Sequence, residues 1–279
     1  MAEKGPISIS LAGVLRDKLG KRAERIPGWV VRGLENLICQ DRMNGLLRKV
    51  HPRRGAAFCE AVLRELDVEV EVLGARNLPE SPRAVFVCNH PLGGLDGIAI
   101  IAELSRRYGP GLRFVVNDML MAIEPLRDVF VPVNKHGAQS RGAASALEEA
   151  LEGDGPVVIF PAGLCSRRGP GGKVADLEWK KMFVTKAIAS GRPVVPMFFS
   201  GVNSPFFYNF ARLRERLGIR LNIEMVRLPR EVFRAQGSRF RLYCGRAVGV
   251  GELASRPVAE EALRIRNIVY SLPSSDIYQ

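Results

Sequence analysis

One short run holds most of the reactive chemistry in this sequence: Asn89-His90-Pro91-Leu92-Gly93-Gly94-Leu95-Asp96-Gly97. Histidine changes charge near neutral pH, so its ring can take a proton and give it back. A carboxylate bonded to one ring nitrogen fixes the tautomer and leaves the other nitrogen free to accept. The pair is then a general base for an alcohol, which has little nucleophilic strength of its own at neutral pH. Gly93-Gly94 lets the chain double back, so that Asp96 can approach His90. The competing reading makes Asp96 the N-cap of a helix and His90 a buried loop residue. His-Pro and Gly-Gly followed by Asp at a strand–helix junction favour catalysis, with His90 and Asp96 as the catalytic residues.

A second run, from Phe160-Pro161-Ala162-Gly163 through Leu164-Cys165-Ser166-Arg167-Arg168 to Lys173, suits an anion. Its glycines let backbone amides face the ligand, while Ser166, Arg167, Arg168 and Lys173 supply a hydroxyl and cations. It lacks the spacing and the Lys-Ser/Thr of a nucleotide P-loop, which argues against ATP. Composition alone also allows a solvated basic hairpin. Cys165 is a conceivable thiol nucleophile for His90, although a structural cysteine is the commoner case.

Elements that would position these loops can be read from periodicity. From Leu11 to about Leu66 the apolar spacing is helical, punctuated by Pro27-Gly28 and Pro52. Trp29 beside Arg25 and Arg32 suits either an interfacial amphipathic helix or a helical cap on the core. Beyond Asp67, strands and helices alternate. Strands are expected at 68–73, 84–88, 112–116, 129–133, 156–160, 194–199, 223–228 and 240–244. Helices are expected at 98–107, 139–151, 177–189, 207–217 and 258–270. This grammar predicts an α/β fold with a mixed, largely parallel sheet flanked by helices, and an N-terminal helical extension. The boundary falls between an amphipathic helical segment, 1–66, and the α/β domain, 67–279. In such sheets ligands collect beyond the carboxyl ends of the strands, where both reactive loops lie.

Bulk properties exclude several classes. Five cysteines without C-x-x-C spacing and three scattered histidines argue against a metal site and fit a reducing compartment. No apolar stretch approaches the ~20 residues of a membrane span, and no leader is expected from the charged first twenty residues. The net charge of +12 is concentrated in residues 161–250, with 17 basic side chains against 5 acidic ones. Such a field attracts anionic lipid, phosphorylated substrates or nucleic acid. Aromatics at 7%, with no reading motif, argue against nucleic acid.

At these residues the chain resembles the glycerolipid acyltransferase superfamily, from about Val68 to Val248. Asn89-His90 through Asp96 matches the family's Asn-His…Asp block, with five spacer residues where the family has four. Phe160 to Ser166 matches its Phe-Pro-Glu-Gly-Thr-Arg-Ser block, with Ala162, Leu164 and Cys165 in place of Glu, Thr and Arg. Val195-Pro196 matches its Val-Pro block. Asn117 stands where a basic residue is common, and Asn134-Lys135 where the family has an arginine. The departures resemble the branch that acylates lyso-ornithine or lyso-glycine lipids. The resemblance implies direct O-acyl transfer in the 67–279 domain, with acyl carrier protein or coenzyme A thioester as co-substrate and neither cofactor nor metal. The acceptor would be a lyso-aminolipid or lysophosphatidate. Implied substrate-binding residues are Asn89, Asn117, Lys135, Phe160, Pro161, Gly163, Ser166, Arg167 and Lys173, with Asn117 or amides near Gly163 holding the oxyanion. It also implies peripheral attachment to the anionic cytoplasmic face of the inner membrane. Rival readings are a thioesterase-like hydrolase using Cys165 or Cys88, and a non-catalytic lipid-surface protein with a decayed site.

Overall fold

The computed structural model describes residues 8–20, 25–133, 141–219 and 221–274. Four helices open the chain: α1 (Leu11–Leu19), α2 (Gly28–Leu37), α3 (Gln40–Val50) and α4 (Gly55–Glu65). α2 buries none of its residues and leaves Trp29 72% exposed, whereas α4 buries Phe58, Cys59, Ala61, Val62 and Leu63. The sequence boundary at residue 66 is therefore not a boundary in packing, because α3 and α4 belong to the same apolar core as the sheet.

The sheet follows, with its covering helices between the strands. In chain order these are β1 (Glu69–Leu73), β2 (Val85–Cys88), α5 (Leu95–Tyr108), β3 (Arg113–Asn117), β4 (Phe130–Val133), α6 (Arg141–Glu152) and β5 (Val157–Ile159). After a two-residue hairpin of β6 (Arg167–Arg168) and β7 (Val174–Ala175) come α7 (Met182–Ala189), β8 (Val194–Phe199), α8 (Pro205–Arg216), α9 (Leu228–Arg234), β9 (Arg239–Cys244), α10 (Val250–Leu253) and α11 (Val258–Ser271). Seven strands pair in the order β1-β9-β8-β2-β5-β3-β4. Every pairing is parallel except β8 with β9. Central strands of such a sheet are covered on both faces, so they read as unbroken apolar runs, and all of Val85–Cys88 is buried.

One face packs α3, α4 and α5 against Phe86, Cys88, Phe114 and Val158; the other packs α6, α7 and α11 against Val85, Val87, Val157 and Ile159. From β2 the chain leaves through α5 toward β3. From β5 it leaves through α7 on the opposite face, to β8 on the far side of β2. The loops after β2 and β5 thus diverge from adjacent strand ends, which opens a crevice at that edge. They are the two reactive loops of the sequence.

Two expectations need correction. Residues 223–228 are not a strand: Ile223–Arg227 is a 3-10 turn running into α9, because Glu224 is drawn fully inside by two arginines. The helix expected from Leu177 begins only at Met182, since Trp179 turns inward to reach Asp176.

Arg192, fully buried, holds the amino end of β5 in place. Its Nε donates to Leu151 O (2.9 Å) and its Nη1 to Gly155 O (2.8 Å), and Nη2 reaches the Gly153 carbonyl. These are the orphan carbonyls at the end of α6 and the turn beyond it. Burial pulls the guanidinium pKa down to about 10, so it stays charged. Replacing Arg192 by Met should lower resistance to urea by about 2–4 kcal/mol, because several buried carbonyls lose their donor; an unchanged midpoint would refute this role.

Candidate active site

β2 ends in Asn89, whose amide extends the ladder by one rung. Its Nδ2 donates to Phe199 O (3.0 Å) and its Oδ1 accepts from Phe199 N (2.7 Å). Asn89 is buried and holds the ends of β2 and β8 together.

His90 follows. Its Nδ1 lies 2.9 Å from Asp96 Oδ2, and Asp96 also accepts from the backbone N–H of Leu92 (2.9 Å), Gly94 (3.0 Å) and Gly97 (2.9 Å). Asp96 stands one residue inside α5 rather than at its N-cap, which is Gly94. Complete burial alone would raise the Asp96 pKa. The His90 charge, the bond to its ring and the Leu92 and Gly97 amides outweigh burial and hold the carboxyl below its usual value. An ionised carboxylate only accepts, so the proton between the two groups belongs to Nδ1 and the lone pair to Nε2. The ring lies flat on Phe160 (centroids 3.9 Å apart, planes at 20°), and Phe160 is braced edge-on by Phe114 (5.1 Å). The His90 side chain keeps 15% exposure.

The five-residue spacer is accommodated at Gly93, which has φ +76°. A Cβ there would meet Leu228 Cδ2 at 2.8 Å and Cys165 Cβ at 3.2 Å, so glycine is required both by conformation and by space.

The second loop is built differently from its anion-gripping expectation. Ser166 Oγ donates to Asp176 Oδ1 (2.6 Å), and Ser166 N donates to His90 O (2.7 Å). Arg167 Nη2 donates to Glu224 Oε1 (2.7 Å), and Arg214 Nε lies 2.9 Å from Glu224 Oε2. This Arg-Glu-Arg cluster is buried, so Arg167 is a structural cation and not a free one. Gly163, at φ +65°, donates its N–H to Phe160 O (2.9 Å) and is not a spare oxyanion donor. Pro161 is buried and its carbonyl accepts from Lys180 N. Lys173 is exposed beyond the hairpin turn. Asn117 ends β3, two strands from β2, and its Oδ1 caps Met119 N (3.0 Å). Lys135 lies outside the described residues. Among the described residues, Phe160 is the predicted binding residue stacked on the His90 ring.

Asp176 is a positioning residue that the sequence does not announce. It accepts from His90 N (3.1 Å), Ser166 Oγ and Trp179 Nε1 (2.9 Å), and its own N–H donates to Tyr270 Oη (2.7 Å). Burial pushes its carboxyl above the usual value, against the hydrogen bonds from Ser166, Trp179 and His90. Its partners come from four separate parts of the chain, and no local spacing marks it.

Neither rival thiol is poised to react. Burial drives the Cys165 pKa up to about 11 despite Arg167, and it drives that of Cys88 well above the ordinary value. Both thiols are protonated at neutral pH and shut away from solvent.

Residues 13–276 match a protein family described as acyltransferase, so the chain belongs to that family and is an enzyme that transfers acyl groups. A lyso-glycine lipid O-acyltransferase of Phocaeicola vulgatus is 40% identical over 273 residues, covering 98% of each chain. The protein of the same name from Bacteroides thetaiotaomicron is 39% identical over 273 residues, covering 98% of this chain and 100% of the relative. Among solved structures, the 1-acyl-sn-glycerophosphate acyltransferase PlsC of Thermotoga maritima aligns with 87% of this chain and 95% of its own, at 16% identity and a TM-score of 0.46.

Two predictions follow from this geometry. His90→Ala should reduce acyl transfer by ~10²–10⁴ with the circular dichroism unchanged, while Cys165→Ser retains most activity; the reverse ranking would return the thiol reading. Asp96→Asn places an amide NH₂ against backbone donors and should destabilise the protein at neutral pH. Because the folded pKa of Asp96 is depressed, its contribution is complete above the unfolded value of about 4 and is lost as pH falls through the lower folded value. The stability gap between wild type and variant in urea should therefore narrow toward pH 3, and a constant gap would contradict the shift.

Proposed function

We propose that this enzyme moves a fatty acyl group from an acyl carrier protein or coenzyme A thioester to the hydroxyl of a lyso-aminolipid, a lyso-glycine lipid first among them, with His90 as general base. The observation that carries the reading is the 2.9 Å contact between His90 and Asp96, in a chain about 40% identical along nearly its whole length to two lyso-glycine lipid O-acyltransferases.

In this mechanism the acceptor hydroxyl lies against Nε2, the ring nitrogen turned away from Asp96. As Nε2 takes the proton, the oxygen attacks the thioester carbonyl, and Asp96 stabilises the imidazolium that forms. The tetrahedral intermediate collapses by breaking the C–S bond, and the thiolate leaves with the proton returned from His90. The Asn117 amide nitrogen, which has no partner among the described residues, is the side-chain candidate for the oxyanion; such a donor typically contributes ~10²–10³ in rate.

A lipid acceptor has to be met at a bilayer. No helix among the described residues is long and apolar enough to cross a membrane. Met119 and Leu120 after β3, and Val202 and Phe206 after β8, are exposed apolar side chains on the connections that leave the carboxyl edge of the sheet. They support peripheral attachment with the His90 edge toward the lipid, and the basic surface of residues 161–250 supports an anionic membrane or an acidic carrier protein as partner.

Purified protein supplied with acyl carrier protein and coenzyme A thioesters should acylate lyso-glycine lipid faster than lysophosphatidate or glycerol 3-phosphate, as read by mass spectrometry of the products. Acylation of the glycerol phosphates alone would overturn the aminolipid acceptor. Thioester hydrolysis without transfer would overturn the lyso-lipid reading altogether.

A further inference from the structure

Arg167 is spent on the fold, yet another group of arginines, without ion pairs to described residues, lies beside the His90 loop. A cleft of about 460 Å³ opens between α3, α8 and α9, and four guanidinium groups line it: Arg42, Arg227, Arg230 and Arg234. None of the four makes an ion pair with a described residue. The one carboxylate in the cleft, Glu231, is spent on Ser204, whose N and Oγ both donate to it (2.8 and 2.6 Å). The Arg227 Nε is buried and has no hydrogen-bond partner among the described residues. Arg42, Arg230 and Arg234 are solvated, but the buried Arg227 Nε needs an acceptor, and four like charges on one wall favour an anion there.

The guanidinium groups are also oriented. Arg42 lies over the Phe233 ring at 4.2 Å and Arg227 over the Phe206 ring at 4.1 Å. A guanidinium stacked on an aromatic face keeps its in-plane N–H fork for a carboxylate or phosphate. The cleft adjoins the catalytic loop from two directions. Ser204 follows Asn203, whose Nδ2 donates to Pro91 O (3.2 Å), and Arg227 precedes Leu228, whose methyl groups press on Gly93. Phe206, which lines the cleft, is 54% exposed. An anion site beside an exposed aromatic ring suits an amphiphile; the acyl thioester is one too, and the acceptor is preferred because Asn203 and Leu228 tie this wall to the loop of His90, the base that the acceptor hydroxyl must reach.

We infer that this cleft holds the anionic headgroup of the lyso-lipid acceptor, a carboxylate in a glycine lipid joined through the glycine nitrogen, and so presents the acceptor hydroxyl to His90. This assignment rests on the acyl-acceptor reading above, and it replaces the Arg167 loop as the place where the acceptor's charge is gripped.

Arg227→Gln and the double variant R230Q/R234Q, the latter at two exposed positions, test it. Each should raise KM for lyso-glycine lipid roughly tenfold or more, the worth of a charge-assisted hydrogen bond, and leave KM for the thioester unchanged. In a separate arm free of turnover, calorimetric titration with N-lauroylglycine and with its methyl ester should show the wild type preferring the free carboxylate, a preference the variants lose. A rise in the thioester KM with the acceptor KM unmoved would give the cleft to the donor's phosphate or its carrier protein and overturn the assignment. Equal binding of N-lauroylglycine by wild type and variants would overturn it too. A wild type that transfers nothing to lyso-glycine lipid would sink the acceptor reading instead, and the titration would still decide the cleft.

Discussion

Asp96 sits at the start of α5 without solvent, and its two oxygens collect an imidazole N–H and three backbone N–H groups. A buried carboxylate without partners would neutralise itself by taking a proton. Here His90 and the amides of Leu92 and Gly97 keep it charged, and they reach it because residues 91–97 wrap around it. The wrap sets the length of the loop, the positive φ at Gly93 and the point where α5 begins. The same charge determines which nitrogen of His90 carries the proton. One carboxylate therefore couples the backbone path to the protonation chemistry.

The loop after β5 serves this arrangement as scaffold. Ser166 N and Asp176 hold the His90 backbone from both sides, and Phe160 holds the ring face. Two of the positions that depart from the family pattern serve packing: Ala162 joins the core under α7, and Cys165 packs with Phe207 and Tyr208. A glutamate at 162 would be buried in an apolar cluster, at a cost of several kcal/mol unless paired. Arg167 and Arg214 share Glu224, so the hairpin, α8 and the turn before α9 are tied at one buried point.

How much of this was legible in the sequence follows from the range of each interaction. His90, Asp96 and their glycines are close in the chain, and a strand-to-helix junction constrains them locally, so the pair could be read directly. The central strands β2, β5 and β8 were legible because burial on both faces leaves an unbroken apolar run. Asp176 was not, since its bonds to His90 and Tyr270 span 86 and 94 residues. The inward turn of Arg167 depends on Glu224, 57 residues on, and a basic loop looks the same in sequence whether its charges face water or a buried carboxylate. Four of the six residues at 223–228 are apolar, which composition alone does not separate from a strand; the turn there depends on Glu224 meeting Arg167 and Arg214 from other elements.

The buried thiols carry a consequence of their own. Activated acyl esters of sulfur exchange spontaneously with any accessible thiolate, so a protein that holds them risks modifying itself. Cys59, Cys88, Cys165 and Cys244 are all buried, and desolvation raises the pKa of each, to about 11 at Cys165 and about 12 at Cys244; Cys39 alone is partly exposed. These buried thiols are thereby inert toward the thioester donor proposed above. Self-acylation by a waiting donor would then be confined to the partly exposed Cys39, and the thiols that pack the core would meet it only on unfolding.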